Sequence, residues 1–129
     1  MPTLKLAMTA LLCLTCIDVE PAAADELKFD RVQLSDQFYS EGGTFGDFNG
    51  DGRGDVAVGP WIYWGPNFES NSRFYEGEAV DPVGYSKNFF MYSGDANDDG
   101  HRDIYVLGFP GEASWWYENP GPGQAANQL

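Results

Sequence analysis

An internal repeat built on an acidic loop runs through this chain of 129 residues and limits its fold to a few architectures. Residues 46–59 read GDFNGDGRGDVAVG, and residues 94–107 read GDANDDGHRDIYVL, at an offset of 48 positions. Seven of the fourteen positions are identical, and the shared acids all stand at even-numbered distances from the first Asp, so they occupy odd loop positions. Units repeated at this period bury their apolar faces against their neighbours. The pattern therefore predicts a repeat protein.

The segments around each loop favour β-structure. β-branched and aromatic runs precede and follow both loops, and a further aromatic run comes after each of them. These runs are predicted as strands at 43–46, 55–58, 61–64, 90–94, 103–107 and 114–117. Gly, Pro and Asn residues close the aromatic runs as turns, and the polar stretch between the repeats is predicted to hold a short strand near Phe74. The predicted fold class is all-β, with two antiparallel units.

The oxygen donors of each loop have a spacing that suits a hard cation. Side-chain oxygens stand at loop positions 1, 3, 5 and 9, and Gly52 at position 6 allows a sharp turn that directs the carbonyl of position 7 inward. Calcium accepts such a mixed set of oxygens, whereas magnesium demands a tighter octahedron. The predicted metal ligands are Asp47, Asn49, Asp51, the carbonyl of Arg53 and Asp55 in the first loop, and Asp95, Asn97, Asp99, the carbonyl of His101 and Asp103 in the second. The predicted cofactor is calcium.

The loops have two alternative interpretations, an EF-hand and a solvated turn. An EF-hand has Glu at position 12, where this chain has Val58 and Val106, and its loop joins helices rather than strands. A solvated Asp/Asn/Gly turn that binds no metal is the second alternative. Two matched copies favour calcium, because three carboxylates in nine residues repel one another and a bound metal converts that repulsion into folding free energy.

The net charge excludes whole classes of partner. With 7 Lys+Arg against 20 Asp+Glu, the formal charge is −13. A surface of that sign repels phosphate backbones and anionic lipid, so no nucleic-acid partner is expected. Six of the acids are predicted ligands in the two loops, so much of the charge is concentrated at the predicted metal sites.

The first residues, 1–24, are predicted to be a cleaved signal peptide. Lys5 precedes an apolar run of 12 residues at 6–17, which is too short to cross a bilayer and is followed by three alanines. A cleaved signal peptide would make the mature chain, 25–129, secreted or periplasmic. Cys13 and Cys16 both lie in the signal peptide, so the mature chain would have no disulfides. Small exported domains usually need disulfides or a structural metal for stability, and calcium would be that metal.

The loops resemble the FG-GAP and VCBS-type repeats, a family that includes the propeller blades of integrin α-subunits. Phe45-Gly46 matches the opening pair of that family, and both loops contain its Asp-x-Asn-x-Asp-Gly-x-x-Asp core. The second copy departs in having Ser93 for the Phe and Asp98 for the usual Gly at position 4. The resemblance covers roughly residues 38–120, and it implies calcium loops at the edges of β-propeller blades.

The length leaves room for two such blades. Repeat 1 spans about 38–66 and repeat 2 about 87–120, within the predicted repeat region 25–129. Propellers usually carry about four to eight blades. The chain is therefore expected to form a partial propeller, either as a truncated member of the family or as one that self-associates to complete the ring.

The predicted function is a non-enzymatic binding or scaffold module with an unidentified protein or glycan ligand. The chain has one histidine and no cysteine after residue 24, and its patterned acids are committed to the loops, so no nucleophilic site is predicted. One alternative is a lectin-like module that stacks sugar on Trp115 and Trp116, although these rings also suit packing between blades. Another is the N-terminal piece of a larger exported enzyme.

Overall fold

A computed structural model describes residues 27–122 of the protein. The predicted signal peptide and both cysteines lie outside these residues. The chain divides after Arg31, and all the strands belong to the unit that begins at Val32. Residues 27–122 contain seven β-strands and no helix. The all-β prediction is therefore confirmed.

Each repeat forms its own antiparallel sheet. The first sheet contains, in spatial order, β1 (Gly43–Gly46), β2 (Asp55–Val58), β3 (Trp61–Tyr63) and β4 (Asn71–Arg73). The second contains β5 (Phe90–Gly94), β6 (Asp103–Leu107) and β7 (Ser114–Tyr117). The strands next to the loops have the predicted bounds, and the short strand expected near Phe74 is β4, which ends one residue before it. The arrangement of these sheets as propeller blades stays a prediction.

Residues from both sheets make one hydrophobic core. Because successive side chains of a strand point to opposite faces, the paired residues Ala57 and Ile62 share one face of the first sheet. Met91 and Val106 are likewise paired on one face of the second sheet. All four are at least 96% buried. Phe48, Phe74 and Ile104 complete the buried cluster.

The first strands of the two sheets lie beside each other. β1 contacts β5, and the Ser93 hydroxyl donates a hydrogen bond of 2.8 Å to the carbonyl of Phe45. Ser93 and Phe45 are equivalent positions of the repeat, 48 residues apart. Since each acidic loop follows the first strand of its sheet, this contact brings the starts of the two loops to neighbouring places in the fold.

Candidate metal site

Each loop joins the first two strands of its sheet through a turn in which left-handed residues stand at positions 4 and 6. Gly52 has φ +81° and Gly100 has φ +87°, which confirms the positive φ predicted at position 6. Position 4 is also left-handed, with φ +74° at Gly50 and +59° at Asp98. Asp tolerates this conformation better than most residues with a side chain. The second loop therefore keeps the shape of the first despite the substitution.

The acid at position 1 organises its loop by accepting backbone hydrogen bonds. Asp47 Oδ2 accepts from Gly52 N at 2.8 Å, and Asp95 Oδ2 accepts from Gly100 N at the same distance. The other oxygen of each acid accepts from the N–H of position 5 at 3.1 Å. Position 1 thus fixes the turn through two shared hydrogen bonds in both repeats, and Asp47 accepts a third, from Gly50 N at 2.8 Å.

Positions 3 and 5 form two further turns. Asn49 Oδ1 accepts from Asp51 N at 3.0 Å, and Asp51 Oδ1 accepts from Arg53 N at 2.9 Å. In the second loop Asn97 accepts from the position-5 N–H at 3.3 Å, and Asp99 accepts from the position-7 N–H at 2.8 Å. The hydrogen bond that the Asp99 carboxylate accepts from the backbone N–H of His101 lowers the pKa of Asp99.

The acid at position 9 is the first residue of the second strand and is fully buried. Asp55 and Asp103 are both 0% exposed. Asp55 accepts from Phe48 N and Gly65 N, each at 2.9 Å. Asp103 accepts in the same way from Ala96 N at 2.9 Å and from Asn119 N at 2.8 Å. Each carboxylate therefore ties the start of its loop to the end of the third strand of its sheet.

These two buried charges lack an ionic partner. Among residues 27–122 the ion pair joins Arg73 and Glu76, and no basic side chain pairs with Asp55 or Asp103. A buried carboxylate is costly unless it is compensated, and backbone N–H groups supply only partial positive charge. A cation beside the loop would supply the missing charge, so the electrostatics of the site fit a metal ion.

The carboxylates alone do not form a metal site. Among the described residues, no three Asp, Glu, His or Cys side chains stand close enough together to hold an ion. Asp47 Oδ1 accepts two N–H groups, from Gly50 and Asp51. The other oxygens of the predicted Asp ligands accept one donor each, which uses only one of their two lone pairs. A cation would therefore draw on the remaining lone pairs together with the Asn side chain, a backbone carbonyl and water. Calcium accepts such a mixed set of oxygen ligands.

The position-7 residues differ in their surroundings. Arg53 is exposed, whereas His101 is half-buried and its ring packs against Gly121, which has φ +85°. A Cβ at position 121 would overlap the imidazole, so this contact needs glycine there. The predicted role of both residues rests on their carbonyls, and their side chains are not required for it.

Asn119 is a site residue that the sequence interpretation missed. It is 4% exposed, and its Nδ2 donates to the carbonyl of Phe48 at 2.7 Å and to the carbonyl of Arg102 at 3.0 Å. Phe48 belongs to the first loop and Arg102 to the second, so one amide group links the two loops. Its backbone N–H caps Asp103 as that of Gly65 caps Asp55. The two residues are 54 positions apart rather than 48, so the repeat gives no signal for Asn119.

The two tryptophans named as ligand-binding candidates lie on opposite faces of β7. Trp115 is in register with Val106 on the face that contributes to the core, and it is 39% exposed. Trp116 is in register with Tyr105 on the other face and is 50% exposed. The structure therefore does not join them into one platform, and each must be considered with different neighbours.

Comparisons with known proteins give no relative from which a role can be carried over. No family model matches the chain, and no curated protein or solved structure matches it. The resemblance to FG-GAP and VCBS-type repeats therefore stays a prediction from the loop motif. In the part of the chain that the structure describes, no helix is long and apolar enough to cross a membrane.

Proposed function

We propose that the protein is a calcium-binding repeat module, with one ion in each acidic loop. The single observation that carries the proposal is the matched pair of fully buried acids, Asp55 and Asp103, which have no basic partner among the described residues. The equivalent hydrogen bonds of the two loops support it, because both loops offer the same oxygens in the same order. Binding at one loop should therefore be accompanied by binding at the other.

Calcium would act as a structural clamp. It would neutralise an acid that is held at the start of the second strand, and it would fix the loop that connects this strand to the first. Since the ligands come together only when the loop is folded, the binding free energy adds to the folding free energy. The proposed role of the metal is stability, and it needs no reaction at the metal.

Titration calorimetry with calcium tests the proposal directly. The unmodified chain is expected to bind two ions. Asp51→Ala should remove one site and leave the second, and Asp99→Ala should do the converse, because position 5 contributes a carboxylate to one loop only. Absence of binding heat in the unmodified chain, together with an unchanged circular dichroism spectrum in chelator, would refute the proposal.

A neighbouring acid provides the matched control. Asp98→Gly removes one negative charge from the same loop and gives position 4 the residue that the first repeat has there, Gly50. Glycine also suits the left-handed backbone at this position, where φ is +59°. Two sites should remain in this variant. Equal losses in Asp98→Gly and Asp99→Ala would show that general charge, rather than coordination, determines binding.

The proposed biological role is that of an exported, non-enzymatic binding or scaffold module. The acidic composition disfavours nucleic acid, so the proposed ligand is a protein or a glycan. The predicted signal peptide supports a secreted or periplasmic location. Calcium would stabilise the fold there in place of disulfides. A radiolabelled precursor that shortens by about 24 residues on export would support this location, and an uncut, retained chain would refute it.

A glycan is the second candidate ligand, and a cleft beside Trp115 favours it. The cleft measures about 250 Å³ and is lined by the aromatic rings of Tyr75, Trp115 and Tyr117. Glu76, Lys87 and Asn88 add polar groups to the same wall. Binding sites for small molecules commonly combine apolar walls with a few polar groups, and a sugar ring offers both surfaces.

The two tryptophans make a matched pair for testing this candidate on a glycan array. Trp115→Ala should abolish sugar binding, because its ring lines the cleft. Trp116→Ala should leave sugar binding intact, because this ring lies on the opposite face of β7. Silence of the unmodified chain across a broad array would exclude the glycan candidate and leave the calcium proposal untouched.

A further inference from the structure

The face of the second sheet that points away from the core is aromatic and exposed. Alternation along the strands places Tyr92, Tyr105 and Trp116 on this face, in one row across β5, β6 and β7. Tyr92 is 55% exposed and Trp116 is 50% exposed. Phe90, which is 49% exposed, extends the row along β5. We call this surface the second outer face.

The repeat shows which surface of the first sheet corresponds to this face. At the offset of 48, Tyr92 and Tyr105 correspond to Thr44 and Ala57. In the first sheet Thr44 is in register with Ala57, and Ala57 is in register with Ile62. Ala57 and Ile62 are 0% and 1% exposed, because that row belongs to the core shared by the two sheets. The second outer face is thus the equivalent of a buried surface.

The first sheet likewise has an outward face whose equivalent in the second sheet is buried. The outward row of the first sheet contains Phe45, Val56 and Tyr63, in register across three strands. It corresponds to the row that contains Ser93 and Ile104, of which Ile104 is 0% exposed in the core. Phe45 is nevertheless 77% exposed, whereas Tyr63 is 5% exposed, so Phe45 is the part of this row that is free to make a contact. We call this row, together with Val58 and Trp61, the first outer face.

We infer that the second outer face binds the first outer face of another copy of this chain, head to tail. The two outer faces are the two halves of the contact that the first and second sheets already make within one chain. A second copy of this chain can continue that contact, because the repeat supplies both halves of it. The contact is independent of calcium binding, since no loop residue takes part in it.

The symmetry of such a contact decides what it can build. Two different surfaces meet, so the contact is heterologous, and it either closes into a ring or extends into a filament. The exposed rings provide the anchors, because Trp and Tyr are typical of the residues that dominate binding energy at interfaces. Repeat units that stack in this way would cover the exposed rings of Phe45, Tyr92 and Trp116.

Sedimentation velocity of the purified chain, over a concentration range from about 1 μM to several hundred μM, tests the inference. The unmodified chain should show species larger than a monomer that increase with concentration. Trp116→Ser and Phe45→Ser should each weaken association at least about tenfold, since they remove an anchor from one outer face each. A chain that stays monomeric throughout, or variants that associate as the unmodified chain does, would overturn the inference.

Mixing the two variants distinguishes a head-to-tail contact from a symmetric one. An equimolar mixture of Trp116→Ser and Phe45→Ser should form a dimer and nothing larger, because each chain keeps one intact outer face. If the second outer face paired with its own copy instead, Phe45→Ser alone would still dimerise fully. That result would refute the head-to-tail contact.

Two further variants guard against loss of folding. Tyr92→Thr gives the second sheet the residue that the first sheet has at this position, and it should weaken association while keeping the near-ultraviolet circular dichroism of a folded chain. Val83→Ser is the matched control, because Val83 is 94% exposed and lies outside both faces. Its association should equal that of the unmodified chain, and a loss as large as that of Trp116→Ser would count against the assigned faces.

Discussion

Replacement of Asn119 by Ala should destabilise the fold by about 2–4 kcal/mol. The substitution removes two donated hydrogen bonds, to the carbonyls of Phe48 and Arg102, and one accepted from Gly121 N at 3.0 Å. Leaving a buried polar group without its partner costs about 1–3 kcal/mol. The carbonyl of Phe48 should account for the larger share of this cost, because Phe48 is 4% exposed. Arg102 is exposed, so water can replace the lost hydrogen bond to its carbonyl.

Urea unfolding followed by circular dichroism measures this loss. With an m-value of about 2 kcal/mol/M, the midpoint should fall by about 1–2 M while the slope stays unchanged. Asn119→Asp should be at least as destabilising as Ala, because it places a carboxylate oxygen against two carbonyls. Asn67→Ala is the matched control, since Asn67 is exposed and accepts one long bond of 3.4 Å. A loss below about 0.5 kcal/mol in Asn119→Ala would refute the claim that this amide links the loops.

The remaining predictions concern a close backbone contact, a titrating acid and the core. A Cβ at Gly65 would overlap the carbonyl of Gly54, so Gly65→Ala should weaken calcium binding in the first loop and leave the second loop unchanged. A Cβ at Gly54 would meet nothing within 4 Å. Gly54→Ala should therefore bind calcium as the unmodified chain does in calorimetry. Burial raises the pKa of Glu41, but hydrogen bonds from Ser86 more than offset it and leave the pKa below its ordinary value of 4.5. Ionised Glu41 therefore stabilises the fold above pH 4.5 and loses this effect as the pH falls through its folded pKa. Glu41→Gln should lower the urea midpoint at neutral pH, and this loss should shrink as the pH falls through the folded pKa of Glu41. A loss that does not change with pH would contradict this. Ile104→Ala should cost about 2–5 kcal/mol in the same assay, because Ile104 is fully buried, and a loss under about 1 kcal/mol would show that the core is misplaced.

The local features of this fold could be predicted from the sequence because they depend on neighbouring residues. The strand bounds follow from runs of β-branched and aromatic residues, and six of the seven strands were placed by those runs. The left-handed turns at Gly52 and Asp98 follow from the spacing of acids and glycines within nine residues. The two loops hydrogen-bond alike because their sequences are alike. Such features need no knowledge of what packs against them.

Other features depend on distant parts of the chain and had no comparable signal. Asn119 bonds to a carbonyl 71 residues away, and its turn composition gave no indication of that role. The opposite faces of Trp115 and Trp116 follow from strand alternation, but which face enters the core depends on how the two sheets pack. Asp55 is likewise fully buried, and the N–H that caps it belongs to Gly65, ten residues further along the chain. Tertiary packing decided each of these.

Equilibrium unfolding in calcium and in excess chelator tests whether each acidic loop binds a calcium ion that stabilises the fold. A ligand that binds only the folded state at about 100 times its dissociation constant adds about 2.7 kcal/mol per site, so two sites should add about 5 kcal/mol. The urea midpoint should rise with calcium concentration, and about half of this increase should be lost in Asp99→Ala. Superimposable unfolding curves in calcium and in chelator would contradict this prediction.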